Sequence, residues 1–145
     1  MFFPRKVSIP NDLPQSIRVL NFNISEDILI GGYYFLQDEK LPSILLFHGN
    51  GEVALEYIYF MDLFFKCGVN LAVVDFRGYG HSTGKPRFNN LIKDAQPVYN
   101  EFKKWVYEKK INVWKNGTVS HLNLYFFGKI IRPRFFLQRY RQRNR

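Results

Sequence analysis

A chain of 145 residues, 46% apolar and 18% aromatic, can bury one hydrophobic core but not two, and its composition is that of a globular protein with no disorder signature. The single Cys67 excludes an internal disulfide and fits a reducing compartment, as a small buried side chain. The formal charge of +9 is unevenly spread: Met1 to Lys129 carries 11 Lys and 4 Arg against 12 acids, whereas Ile130 to Arg145 carries 6 Arg and no acid, so the basic excess belongs mainly to the last sixteen residues.

In chain order, residues 1–16 hold Pro4, Pro10 and Pro14 among polar residues and read as an irregular lead-in. Met1-Phe2-Phe3-Pro4-Arg5-Lys6 has no apolar core of a secretory signal, and no stretch approaches the ~18 apolar residues of a membrane span. A cytoplasmic location is the expectation. Ile17 to Ile24 alternates as a half-exposed strand, Ser25-Glu26-Asp27 supplies a turn, and Ile28 to Leu36 is its hairpin partner, with Gly31-Gly32 marking a bulge or a close backbone approach. After the polar link Gln37 to Pro42 comes Ile44-Leu45-Leu46-Phe47, an unbroken apolar run of the kind buried on both faces in parallel sheets. It ends abruptly in His48-Gly49-Asn50-Gly51-Glu52.

Val53 to Lys66 predicts a helix with Leu55, Ile58, Met61, Phe64 and Phe65 on one face and Gly68 as its stop. Val69 to Phe76 predicts the next buried strand, completing a right-handed βαβ unit. Asn89 to Lys109 repeats Leu91, Ile92, Ala95, Val98, Phe102, Trp105 and Val106 at helical spacing, and Pro97 predicts a kink or restart. Lys110 to His121 reads as a polar connection, whose Asn116-Gly117-Thr118 is a plain turn, and Leu122 to Phe127 as a third parallel strand. The fold class is α/β: an amino-terminal antiparallel hairpin joined to a mainly parallel sheet with flanking helices.

Two motifs carry a family resemblance. The turn His48-Gly49-Asn50-Gly51, followed by Asp75-Phe76-Arg77-Gly78-Tyr79-Gly80-His81-Ser82-Thr83-Gly84, resembles the amino-terminal half of the α/β-hydrolases, closest to esterase-like serine hydrolases with an HGN turn and a DxRGxGxS loop. The resemblance covers roughly Ile24 to Lys129. It implies a serine hydrolase acting on a small acyl substrate without a cofactor, and an oxyanion donor from the turn, with Asn50 or Gly51 the candidate and His48 and Gly49 shaping it. It also implies a structural role for Asp75, Arg77, Gly78, Gly80, Ser82 and Gly84, with an Asp-Arg pair bracing the loop. Two domains follow: residues 1–129 as a truncated hydrolase half, and 130–145 as a non-homologous basic tail.

Gly80-His81-Ser82-Thr83-Gly84 also satisfies G-x-S-x-G, which would make Ser82 a nucleophile. Context argues against it, because Arg77 to His81 separate the strand from Ser82 and Lys85-Pro86-Arg87 follow, whereas a nucleophile elbow passes straight from strand to serine to helix. A dinucleotide site at Gly78, Gly80 and Gly84 fails because no helix opens on those glycines. The family's elbow is expected after Leu122 to Phe127, where Gly128-Lys129 fit its first two positions and Ile130 stands where the serine belongs. The triad's acid and histidine have no residues after it. Lysine gives way to arginine at the same point, as expected if the reading frame or exon changes after Lys129.

The competing account is a non-enzymatic binding module, since Arg134, Phe135, Phe136, Arg139, Tyr140, Arg141 and Arg143 interleave cations with aromatics, a composition that can hold nucleic acid. The tail has no second basic cluster to join, so the broken frame is preferred. His48, His81 and His121 show no metal-ligand spacing with Cys67. A half-built sheet predicts one partly bare face, hence self-association.

Overall fold

The computed structural model describes residues 1–106 and the backbone of 111–115. Five strands form one sheet: β1 (Ile17–Ser25), β2 (Ile28–Phe35), β3 (Ser43–Phe47), β4 (Asn70–Val74) and β5 (Ile111–Lys115), in the order β1-β2-β4-β3-β5. β1 and β2 form the expected antiparallel hairpin, β2 runs antiparallel to β4, and β4, β3 and β5 are mutually parallel neighbours.

The uninterrupted apolar run of β3 has a direct cause in two-sided burial. Leu45 and Phe47 pack with Ala72 and Val74 of β4 and Tyr34 of β2 into one core, beneath Leu91, Ala95, Val98 and Phe102 of the helix α2 (Phe88–Phe102). Ile44 and Leu46 pack with Leu71, Val73, Tyr33 and Phe35 into the other, beneath Ala54 and Phe64. Period-two alternation sends successive side chains to opposite faces, and every residue of β3 and β4 is buried. The expectation of a bare sheet face is therefore not met at these strands, because helical segments cover both sides. The exposed large apolar residues include Tyr59, Phe60 and Leu63, on the covering layer itself.

Three further expectations are corrected, and one is decided between its two alternatives. Val53 to Lys66 is not one helix: a 3-10 helix (Ala54–Tyr59) gives way at Phe60 to the short α1 (Met61–Lys66). The run Tyr57-Ile58-Tyr59-Phe60 consists of aromatic and β-branched residues with weak helix propensity, so tertiary packing rather than helical periodicity sets its path. The second helix ends at Phe102 instead of Lys109, and it runs through Pro97 without a restart. Gly31 and Gly32 mark close approach and not a bulge. A Cβ on Gly31 would stand 2.3 Å from His81 Nε2, and one on Gly32 2.3 Å from the Val73 carbonyl oxygen, while the register shift lies between Asn23 and Ser25. Finally, β5 lies within the stretch expected to be a polar connection, its register pairing Phe47 with Lys115. Two β-branched residues, Ile111 and Val113, favour an extended backbone there. The expected strand Leu122 to Phe127, the elbow remnant Gly128 and Lys129, Ile130 and the basic tail lie outside the described residues.

Among the described residues, no helix is long and apolar enough to cross a membrane.

Candidate active site

β3 delivers His48 to the carboxyl edge of the sheet, where α/β proteins assemble their sites. His48 is fully buried; its Nδ1 donates to the Gly49 carbonyl at 2.8 Å, and its Nε2 lies 3.3 Å from Asp75 Oδ1. Asp75 follows β4, so this contact joins the ends of the two parallel strands. Asp75 Oδ1 also accepts the Ala54 N–H at 2.8 Å, fixing the start of the 3-10 helix. The imidazole packs against the rings of Phe76 and Tyr79.

The turn itself closes through Glu52, whose carboxylate accepts the Gly49 N–H at 2.9 Å and the Tyr57 hydroxyl at 2.7 Å. Gly51 has φ +86°, a conformation that a residue with a Cβ rarely takes. Both polar atoms of the Asn50 side chain are engaged, with Oδ1 accepting from Phe3 N–H and Tyr79 Oη–H and Nδ2 donating to the Met1 carbonyl. Its backbone N–H meets no acceptor among the described residues.

The loop after β4 is a brace. Ser82 is fully buried, accepts the Gly31 N–H at 2.8 Å and donates its own proton to the Asp75 carbonyl at 3.0 Å. That hydroxyl tethers the loop to β2, and its proton faces a carbonyl instead of a base. Gly80 has φ +48°, and a Cβ there would stand 2.2 Å from Asp75 Oδ2, so only glycine lets the loop pass over the carboxylate. Gly78 N–H donates to the Thr83 carbonyl at 3.1 Å, and Gly84 packs against Ile28 and Arg77. His81 lies over Gly31, its Nε2 near the Leu20 carbonyl and Asn21 Oδ1.

The Asp-Arg brace implied by the resemblance is divided between two partners. Asp75 serves His48 and Ala54, whereas Arg77 makes a bidentate pair with Asp94 of α2, Nε to Oδ2 at 2.7 Å and Nη2 to Oδ1 at 2.6 Å. These hydrogen bonds raise the Arg77 pKa. Asp94 was missed in the sequence although it left a signal: an acid on the buried stripe of Leu91, Ala95 and Val98. Tyr79 was missed too. It is fully buried, and burial raises the pKa of its hydroxyl.

Beside the turn lies a cleft of about 430 Å³ lined by Leu46, Glu52, Glu56, Tyr57, Phe60, Leu63 and Phe64. Among the described residues no group of His, Cys, Asp and Glu is arranged to hold a metal ion.

The order β1-β2-β4-β3-β5, with the histidine-glycine turn at the end of β3 and the acid loop at the end of β4, coincides with a family match: the Hydrolase_4 model, described as serine aminopeptidase S33, matches residues 38–114. The chain belongs to this α/β-hydrolase family. Its fold is similar to the esterase Pf2001 of Pyrococcus furiosus, at 22% identity and a TM-score of 0.58, over 77% of this chain and 47% of that one. It is also similar to an α/β-hydrolase from Vibrio vulnificus, at 24% identity and a TM-score of 0.56, over 68% and 35%. Est1E of Butyrivibrio proteoclasticus, solved with ferulic acid bound, gives 17% identity and a TM-score of 0.58, over 68% and 42%. This hydrolase chain thus spans less than half the length of each of those structures, and the likeness is one of partial fold.

Proposed function

We propose that this chain derives from a serine hydrolase that cleaves a small ester, thioester or amide through an acyl-enzyme, and that its residues supply the oxyanion turn without the nucleophile. The observation that carries the reading is the Asn50 N–H, unpaired among the described residues, in a turn fixed at the carboxyl end of β3. When a serine attacks a carbonyl, negative charge develops on the carbonyl oxygen, and a backbone N–H fixed in advance stabilises it; loss of one such donor costs on the order of 10²-fold or more in rate.

By the resemblance, Gly128-Lys129 match the first two positions of the elbow and Ile130 stands at the position of the serine. The side chain of Ile130 has neither a proton to lose nor a lone pair to attack with, and arginine replaces lysine from that point. A change of frame or exon after Lys129 accounts for both features. The chain is therefore expected to show no serine-hydrolase turnover. Treatment of the purified protein with a fluorophosphonate probe tests this: no serine is labelled, whereas labelling at Ser82 would overturn the reading.

A further inference from the structure

The turn that presents the Asn50 N–H is flanked by glycines and lies outside any strand or helix, so something else must hold it. We propose that Tyr79 and the side chain of Asn50 are positioning residues for the oxyanion turn, acting by latching the Met1 to Val7 segment across it. The proposal takes its meaning from the hydrolase reading, although its test needs no turnover.

The latch has a hub and a strap. Tyr79, fully buried, donates its hydroxyl proton to Asn50 Oδ1 at 2.7 Å. The Phe3 N–H is shared between that Oδ1 at 3.1 Å and Tyr79 Oη at 3.0 Å, and the Gly51 N–H also bears on the tyrosine hydroxyl. Asn50 Nδ2 returns a bond to the Met1 carbonyl at 2.9 Å. The strap is fastened further along, where Gly80 N–H donates to the Arg5 carbonyl at 2.7 Å and Val7 N–H to the Gly80 carbonyl at 3.1 Å. Arg5 reaches across to the Gly51 carbonyl at 3.2 Å and to Glu56 at 2.7 Å, and Lys6 donates to the Ser82 carbonyl.

Each polar group of the Asn50 side chain is spent within this latch, and its backbone N–H is left over. The side chain orients the peptide and the peptide is free to meet a developing charge. Preorganisation of this kind places a donor before the reaction begins. The segment that the sequence reads as an irregular lead-in is thereby part of the site.

Amide exchange by NMR on the full chain tests the proposal. Tyr79→Phe keeps the ring and removes the hydroxyl, and Asn50→Leu keeps the side-chain shape and removes its polar atoms. Each is expected to speed exchange at Phe3 and Gly51 about tenfold, the loss of a net hydrogen bond, while the Leu45 and Val73 amides keep their rates. Asn50→Asp, which retains the acceptor, restores slow exchange at Phe3. Phe3→Pro removes only the strap's donor at an exposed residue, and shifts the Asn50 and Gly51 resonances. Unchanged exchange at Gly51 in all these variants, or equal acceleration at Leu45 and Val73 in Phe3→Pro, overturns the proposal. Probe labelling at Ser82 would sink the reading that the nucleophile is missing and leave these rates as they are, so the two can fail separately.

Discussion

Ser82 shows how one residue can satisfy a catalytic pattern and do different work. Its hydroxyl is a two-way hydrogen bond between loop and sheet, and removing it strands the buried Gly31 N–H. A buried donor left unpaired costs roughly 1–3 kcal/mol. Ser82→Ala is accordingly expected to lower stability by about 2 kcal/mol in urea unfolding; unchanged stability would mean that the brace is not needed. Tyr33 makes a second prediction. Desolvation, and then the negative charge of Asp75, push its phenol up to about 12 from an ordinary 10.0. The folded protein keeps this proton when the unfolded chain has lost it, so the contribution is whole below pH 10 and declines between 10 and 12. A Tyr33→Phe variant should show a shallower fall in stability across that range. At this scale the sequence disclosed His48 and Asp75 through their motifs. It did not disclose that they meet, because their contact joins the ends of two strands paired through space.

Elements set those meetings. β3 and β4 were legible as unbroken apolar runs because both of their faces are covered, and the hairpin was legible because β1 alternates. The 3-10 helix and α1 were not, since Leu55, Ile58, Met61 and Phe64 keep helical spacing across the break at Phe60 and periodicity cannot see a change of axis. β5 was hidden by its polar neighbours, and the partner of Arg77 by its separation of 17 positions from Asp94. The close packing of β2 on β4 is a consequence that can be measured. At Gly32 a methyl group would meet the backbone carbonyl of Val73 at 2.3 Å, with no flexible side chain to move aside. Gly32→Ala should therefore destabilise the fold by about 1–3 kcal/mol, the range typical of overpacking. Circular dichroism melting would register the loss, and a native melting temperature would contradict the packing.

At the scale of the molecule, the described residues carry the scaffold of the proposed site. The chain spans less than half of the esterases it resembles, and the described part exposes Tyr59, Phe60 and Leu63 beside the cleft at 84%, 56% and 42%. Apolar exposure of this kind favours association. Sedimentation of the purified chain is expected to give a mass that rises with concentration, and Phe60→Asp with Leu63→Asp to reduce it; a monomer at all concentrations would contradict that. The most direct test of the central claim is to sequence the transcript across codon 129 and translate every frame downstream. Another frame is expected to open with Ser-x-Gly and run on to a later acid and histidine. If no frame does so, the residues after Lys129 are native to the protein, and its descent from a serine hydrolase by a displaced frame or exon is wrong.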